Sequence, residues 1–398
     1  MRIVYVTTTL PYAEGEAFII PEIVALARRG HQVLIVPRSG NGEVVHGDAE
    51  PLLSMTLARS LLSFEIVKAA GAESCRDPGR ALRAAGLLFH SLNPRILLKN
   101  LAVFAKGLWL ARMAREWGAT HIHAHWSATV ATIALTASEV AGIPWSFTAH
   151  RFDIVENNLL ALKSRRASFV RFISHSGMRM ARSLGVDGPK EKFRVLHMGV
   201  DLPELATGLS ACACSPVLLC PGNLLPVKGH KYLIEAVAIL KKQGLEVRLL
   251  IAGQGELCSR LQKQVQESRL CDQVRFLGQI SHSELLGLYR DGNIGMVVLP
   301  SIDLGNGEHE GIPVSLIEAM SYGVPVVSTL TGGIPELLKD GAGLLVPPGD
   351  PLALAAAIEL LIKDSRLRDQ LAEAGRKRVM DEYSVEKIID ELAAHFEQ

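Results

Sequence analysis

Short apolar, β-branched runs alternate with amphipathic stretches of helical period along most of the chain. Arg2–Thr7 and Gln32–Pro37 read as strands on either side of a helix, Phe18–Arg29, which Gly30 ends. His121–Ala124 and Trp145–Ala149 are further strands around the helical stretch Ala128–Ala141, and Phe172–Ser174 and Phe193–Leu196 close this first series. Gly199–Pro216 has little periodicity and reads as a linker. The alternation then restarts, with strands Val217–Cys220, Val247–Ala252, Val274–Leu277, Ile294–Val298, Pro325–Ser328 and Gly343–Val346, and helices at Lys231–Gln243 and Val314–Ser321. Strands alternating with helices predict parallel, doubly wound sheets. The expected fold class is therefore α/β, with two Rossmann-like domains at 1–200 and 201–383 and a cleft between them. Ligands of such sheets bind at the carboxyl ends of the strands.

The chain has 398 residues, a length that suits two domains of ordinary size. Aromatic residues make up 5%, with 35 Gly and 19 Pro, a mix that excludes collagen-like and disordered chains. Six cysteines, Cys75, Cys212, Cys214, Cys220, Cys258 and Cys271, form no C-x-x-C pair and read as buried small apolar residues of a reducing compartment. Met1–Leu10 reads as a first strand and not a leader, and no run of about 18 apolar residues lacks charge, so a cytoplasmic protein is expected.

Charge changes the picture more. Up to Val200 the chain carries 24 Lys+Arg against 15 Asp+Glu; beyond it, 18 against 26. Halves of opposite sign suggest different partners. The stretch 78–115 holds Arg80, Arg83, Arg95, Lys99, Lys106, Arg112 and Arg115 with no acidic residue, interleaved with Leu87, Phe89, Leu98, Leu101, Phe104 and Trp109. Basic residues flanking helix-period apolar clusters fit an anionic membrane surface. They also fit two ordinary helices, split near Asn93–Pro94, with the apolar stripe turned to the core. No helix-turn-helix, zinc or RNA-binding pattern accompanies the charge, so nucleic acid is not expected as a partner.

Candidate chemistry concentrates in a few loops. Glu310 and Glu318 bracket Gly311, Ile312 and Pro313, and Pro313 suits a first helical turn. A carboxylate ahead of a helix N-terminus, with a second one further along, can grip adjacent hydroxyls bidentately, and the free N–H groups favour phosphate. The same spacing fits a capping glutamate followed by a solvated one. Gly222 directly after a strand, with Asn223 next to it and Lys228 near the following helix, makes a phosphate cradle that is not a P-loop. Gly253-Gln254-Gly255 and Thr331-Gly332-Gly333 are further Gly turns. His121, His123 and His125 share one strand face. No carboxylate stands in evident register with them, so a polar strand end is expected and a metal is not. His150 follows the strand Trp145–Ala149 and precedes Arg151 and Asp153, well placed for contact with a polyol.

Together these residues resemble the retaining, two-domain family 4 glycosyltransferases of the GT-B fold. The E-x7-E pair inside the block Leu299–Pro347 carries most of the likeness. HIHAHW at His121–Trp126, SFTAHRFD at Ser146–Asp153 and HMGVD at His197–Asp201 resemble bacterial exopolysaccharide members. The resemblance implies that Glu318 holds the ribose of a nucleoside diphosphate sugar and Glu310 the transferred sugar. Lys228 would neutralise the departing diphosphate. Backbone at Gly311 and Ile312 would help hold the donor, and Gly15, in the loop after the first strand, would let that loop approach it. His150 would contact the donor sugar, with His125, Arg151 and Asp153 toward the acceptor. It also implies a glycan or lipid-linked acceptor, no metal and no cofactor, and a last helix within 384–398 that packs back on the first domain. One departure stands out: Asn223 occupies the place where the family usually carries Arg. That keeps a non-catalytic binding subunit in view, beside a nucleotide-sugar 2-epimerase.

Overall fold

The computed structural model describes residues 1–12, 14–40, 42, 44, 47–61, 63–204, 217–305 and 308–397. It forms two compact units, residues 1–199 with 385–398, and residues 200–384. Most of the stretch read as a linker, 205–216, lies outside the described residues, as do Cys212 and Cys214.

The first unit runs β1 (Arg2–Thr7), α1 (Ile20–Arg28), β2 (Gln32–Pro37), α2 (Phe64–Arg76), α3 (Pro78–Leu88), α4 (Pro94–Trp117), β3 (His121–His125), α5 (Thr129–Ala141), β4 (Trp145–Ala149), α6 (Arg151–Glu156), α7 (Leu160–Arg166), β5 (Phe169–Phe172), α8 (His175–Ser183) and β6 (Phe193–Val195). All strand pairs are parallel, in the order β2-β1-β3-β4-β5-β6. Asp77 and Asn93 accept from the N–H groups of Arg80 and Arg95, so each caps the helix that follows, and proline at N1 completes both starts. Gly118 at φ 72° ends α4 in the left-handed region, where glycine carries no steric cost.

The second unit runs β7 (Val217–Pro221), α9 (His230–Lys242), β8 (Arg248–Ala252), α10 (Cys258–Glu267), β9 (Val274–Gly278), α11 (His282–Arg290), β10 (Met296–Leu299), α12 (Val314–Ser321), β11 (Val326–Thr329), α13 (Ile334–Leu338), β12 (Leu344–Val346), α14 (Pro351–Lys363) and α15 (Ser365–Glu382). Its parallel sheet has the order β12-β11-β10-β7-β8-β9. Both orders are doubly wound, reversing between β1 and β3 in one unit and between β7 and β10 in the other. Loops leaving the strands at such a reversal splay apart and leave a crevice for ligand.

After the second unit the chain returns to the first as α16 (Val385–Phe396). Val385, Ile389, Leu392 and Phe396 join Ile3, Tyr5, Ile23 and Phe169 in one buried cluster, and Arg29 pairs with Glu386 and Asp390. The last strand of the first series needs correction. The run read at Phe172–Ser174 lies three residues earlier, at Phe169–Phe172, because buried Arg171 continues the sheet and Ser174 caps α8. The cysteines also differ from expectation: Cys220 is buried, whereas Cys75 and Cys271 are exposed.

Candidate functional site

In the second unit the loops after β7 and β10 flank the reversal point, and they carry the residues singled out above. Lys228 Nζ lies 2.9 Å from Glu310 Oε1, with both side chains only 17% and 13% exposed. The Lys228 stem runs over Gly222, whose φ of 145° favours glycine there. Gly253, at φ 148°, abuts the carbonyl of Gly222, and a Cβ there would sit 2.1 Å from that oxygen. Glycine is thus required where the loops after β7 and β8 touch. Asn223 is exposed beside this cradle.

Glu318 sits on the second turn of α12, with its carboxylate Oε1 2.8 Å from His282 Nε2 at the start of α11. Pro313 offers no side-chain cap to α12, so backbone N–H groups of the first turn stay available to a ligand oxygen. Buried Ile312 and the carbonyl of Gly311, which accepts from the Gly333 N–H at 3.1 Å, fix the chain just before that turn. Two half-buried carboxylates, one ammonium and one imidazole therefore converge on a helix N-terminus. Such a set can bind a polyhydroxylated, anionic ligand. His282 was not anticipated; the Ser281-x-x-Glu284 capping box marks its helix start but says nothing of its partner. Nearby Cys220 is inert, since burial pushes its thiol up to about 12.

The first unit places its reversal point between β1 and β3. After β1, the Glu16 carboxylate accepts from the N–H groups of Thr8, Thr9 and Leu10 at 2.7–3.0 Å. It also accepts from the Trp126 indole at 2.6 Å, a bond that spans the reversal. Those N–H groups are the ones that would suit an anionic ligand, and here Glu16 already holds them. Gly15 beside it is exposed, with open space around its Cα. Trp126 adopts φ 114°, a region hostile to bulky side chains, and its ring lies 4.2 Å from that of His150.

His150 begins α6 and is 7% exposed. Its N–H donates to Asp153 Oδ1 at 2.7 Å, and the Ser127 N–H donates to Asp153 Oδ2. Asp153 is buried, and desolvation pushes its pKa up to about 7. Buried Lys163 donates to the carbonyls of Ser127 and Ala128, at 2.8 Å each, and burial draws its pKa down to about 7. Two of the acceptor-side candidates are thereby corrected. Asp153 spends its oxygens on backbone, and His125 is fully buried behind His150, with Nε2 to Nε2 at 2.8 Å. Arg151 is also buried, its guanidinium 3.7 Å from the Phe152 ring centroid.

The three strand histidines are all buried, and burial holds them neutral; His121 and His150 are drawn down to about 3. A carboxylate does stand near them, contrary to expectation. Glu22 from α1 joins His123 and His125 as the one trio of metal-ligating groups among the described residues, with atoms within 4.8 Å of one another. Arg171 occupies the same carboxylate at 2.5 Å, and its charge opposes a second cation there. Lys106 needs a further correction. It is not on the basic surface but buried, donating to the carbonyls of Pro37, Arg38 and Arg59 at 2.5–2.9 Å.

Two family models match this chain: "Glycosyltransferase Family 4" over residues 22–204 and "Glycosyl transferases group 1" over residues 214–378. WcaL of Escherichia coli (strain K12), a candidate colanic acid biosynthesis glycosyltransferase, is 36% identical over 52% of this chain and 51% of its own. The amylovoran biosynthesis glycosyltransferase AmsK of Erwinia amylovora is 34% identical over 53% and 52%. The chain thus spans about half the length of the curated relatives it matches. Among solved structures, Anabaena HepE with UDP superposes with a TM-score of 0.73 at 19% identity, over 99% of both chains. The sucrose-phosphate synthase of Thermosynechococcus elongatus gives 0.72 at 21%, over 100% and 99%. With a model matched to each half and the same fold in these structures, the chain belongs to the family 4 glycosyltransferases of the GT-B fold.

Proposed function

We propose that this protein moves a sugar from a nucleoside diphosphate sugar to a glycan or lipid-linked acceptor of surface polysaccharide synthesis, with retention of anomeric configuration. The observation that carries this reading is the Lys228–Glu310 and His282–Glu318 arrangement at the start of α12. Glu318 holds the ribose, Glu310 the sugar, and Lys228 turns from Glu310 to the diphosphate as negative charge builds on it. Relatives named for colanic acid and amylovoran synthesis support the polysaccharide setting, and a neighbour of this fold solved with UDP-glucose puts UDP first among bases to try. The reaction needs no metal, so turnover survives EDTA.

The test is thermal stability against UDP, GDP, ADP and their sugars, for wild type and Glu318→Ala. A ligand at ~100 times its Kd adds about 2.7 kcal/mol. Stabilisation by one base, lost in Glu318→Ala, supports the reading; no response to any nucleotide overturns it. Exposed Asn223 favours a second reading, a subunit that binds without turnover. Asn223→Arg then raises a weak rate in a catalyst and leaves a pure binder silent.

Among the described residues no helix is long and apolar enough to cross a membrane. Leu82, Phe89, Leu92 and Leu98 are nonetheless 63–100% exposed on α3, α4 and the turn joining them, close in sequence to exposed Arg83, Arg95 and Lys99. This apolar and basic surface fits an anionic bilayer face that presents a lipid-linked acceptor. Leu98→Glu with Arg95→Glu weakens sedimentation with anionic vesicles, whereas neutral vesicles bind neither protein.

A further inference from the structure

A chain of buried polar groups runs beneath His150, and its hydrogen-bond directions can be assigned one after another. Arg171 donates to Glu22 and to the carbonyls of Leu196 and His197, a charge-assisted bond that holds the carboxylate in place. Tyr5 donates its hydroxyl proton to Glu22. A hydroxyl has one proton, so the Tyr5 oxygen can only accept from its other neighbour, His125 Nδ1 at 3.3 Å. His125 must then carry its proton on Nδ1. As a neutral ring in a desolvated site it leaves Nε2 bare. His150 Nε2, 2.8 Å away, has to supply the proton of that bond.

We infer that Glu22, Tyr5 and His125 are positioning residues that lock His150 as the neutral ring protonated on Nε2. The opposite nitrogen, Nδ1, is left bare, an acceptor at the N-cap of α6. Trp126, packed at a tilt against the same imidazole and tied to Glu16, fixes its orientation. In this arrangement the one N–H of His150 is committed to His125, so the ring offers a ligand only an acceptor. The consequence for sugar transfer rests on the function proposed above, whereas the tautomer does not.

The order of bonds predicts its own reversal. Without the Glu22 carboxylate, Tyr5 turns its proton onto His125 Nδ1. His125 then carries its proton on Nε2, and His150 moves to Nδ1–H. Each ring keeps one N–H throughout, so no net proton is gained or lost. The variant for this is Glu22→Leu with Arg171→Met, which leaves no lone buried charge. Histidine-labelled ¹⁵N spectra, with His150 assigned by its absence in His150→Gln, report the tautomers without any substrate.

Wild type should read Nδ1–H at His125 and Nε2–H at His150, and the double variant should read the reverse. His125→Gln serves if the double variant does not fold. Its amide oxygen accepts from His150 and keeps Nε2–H, while His125→Leu scrambles the tautomer. Where donor turnover is measurable, the reversed and scrambled variants lose kcat by about tenfold or more with KM little changed, and His125→Gln recovers most of it. Nδ1–H at His150 in wild type, or spectra and kcat indifferent to both changes, overturns the inference. Expected spectra in a wild type that turns over no sugar nucleotide sink the transferase reading and leave the positioning chain standing.

Discussion

Each unit is built on its own six-stranded parallel sheet, yet the two keep their polar groups in different places. In the second unit the sheet interior is aliphatic, lined by Leu218, Leu249, Val297 and Val327, and the reactive-type groups sit half-buried on the loops and helix starts beyond the strand ends. In the first unit they lie within the sheet layer itself. Tyr5, His121, His123, His125 and Arg171 are strand residues with no more than 1% exposure. Ser146 and Thr148 on β4 hold the His121 and His123 rings at 2.8–3.0 Å. One unit leaves its charged pairs half-buried near the surface; the other uses charge to hold a scaffold in one arrangement. A rigid buried network limits tolerance to mutation but fixes orientation, whereas loop-borne groups can exchange partners when ligand arrives.

The sharpest way to break this contrast is to remove one member of the buried ion pair. Arg171→Met alone should destabilise the first unit by about 3–5 kcal/mol, as an uncompensated buried carboxylate does. Glu22→Leu with Arg171→Met should recover most of that in urea denaturation. Replacing Lys228 should cost less than replacing Arg171, because its pair with Glu310 keeps some contact with solvent whereas Arg171 and Glu22 keep almost none. Equal losses at Arg171 and Lys228 would erase the distinction.

Acid should separate the units next. The four buried histidines of the first unit have folded pKa values below their unfolded ones, His121 and His150 at about 3, so as pH falls below 6.5 the unfolded chain binds more protons. Their stability is present above pH 6.5 and lost as pH falls, by up to about 1.4 kcal/mol per pH unit for each ring. Asp153, with its pKa raised to about 7, opposes one of them over the same window by taking up a proton in the folded state. The second unit has His230, drawn down to about 4, to set against these. Calorimetry from pH 7 to 4 should therefore show the first unit's transition falling faster. A smaller effect sharpens the loop side: Gly253→Ala should cost more than about 1 kcal/mol through its positive φ and the Gly222 carbonyl, and should weaken nucleotide binding with it.

Period and punctuation made the architecture legible. Trp145–Ala149 and Val314–Ser321 are readable to the residue because each apolar run follows a proline, Pro144 or Pro313. The strand carrying Arg171 was misplaced because a buried cation reads as a surface residue until its partner is known. The residues around the start of α12 lie close in sequence, so spacing brings Glu310, Gly311 and Glu318 together. Tyr5, Glu22, His125 and Arg171 are spread over 167 positions, and the strand order that joins them has no local signal. His125 was noticed, but alternation gives a shared face and not its burial. Lys106 misled for the same reason, since a lysine within a basic run gives no hint of three carbonyl partners.

The return of α16 has a consequence for biosynthesis. Val385, Ile389, Leu392 and Phe396 complete the cluster around Ile3, Ile23 and Phe169, yet the ribosome makes them only after residues 200–384. At translation rates of about 5–20 residues per second, the gap is roughly 10–40 s. For that interval the nascent first unit carries an uncovered apolar groove while the second is free to close around its own core. The order of completion is thus inverted relative to the order of synthesis, and chaperone dependence should track the length of that wait.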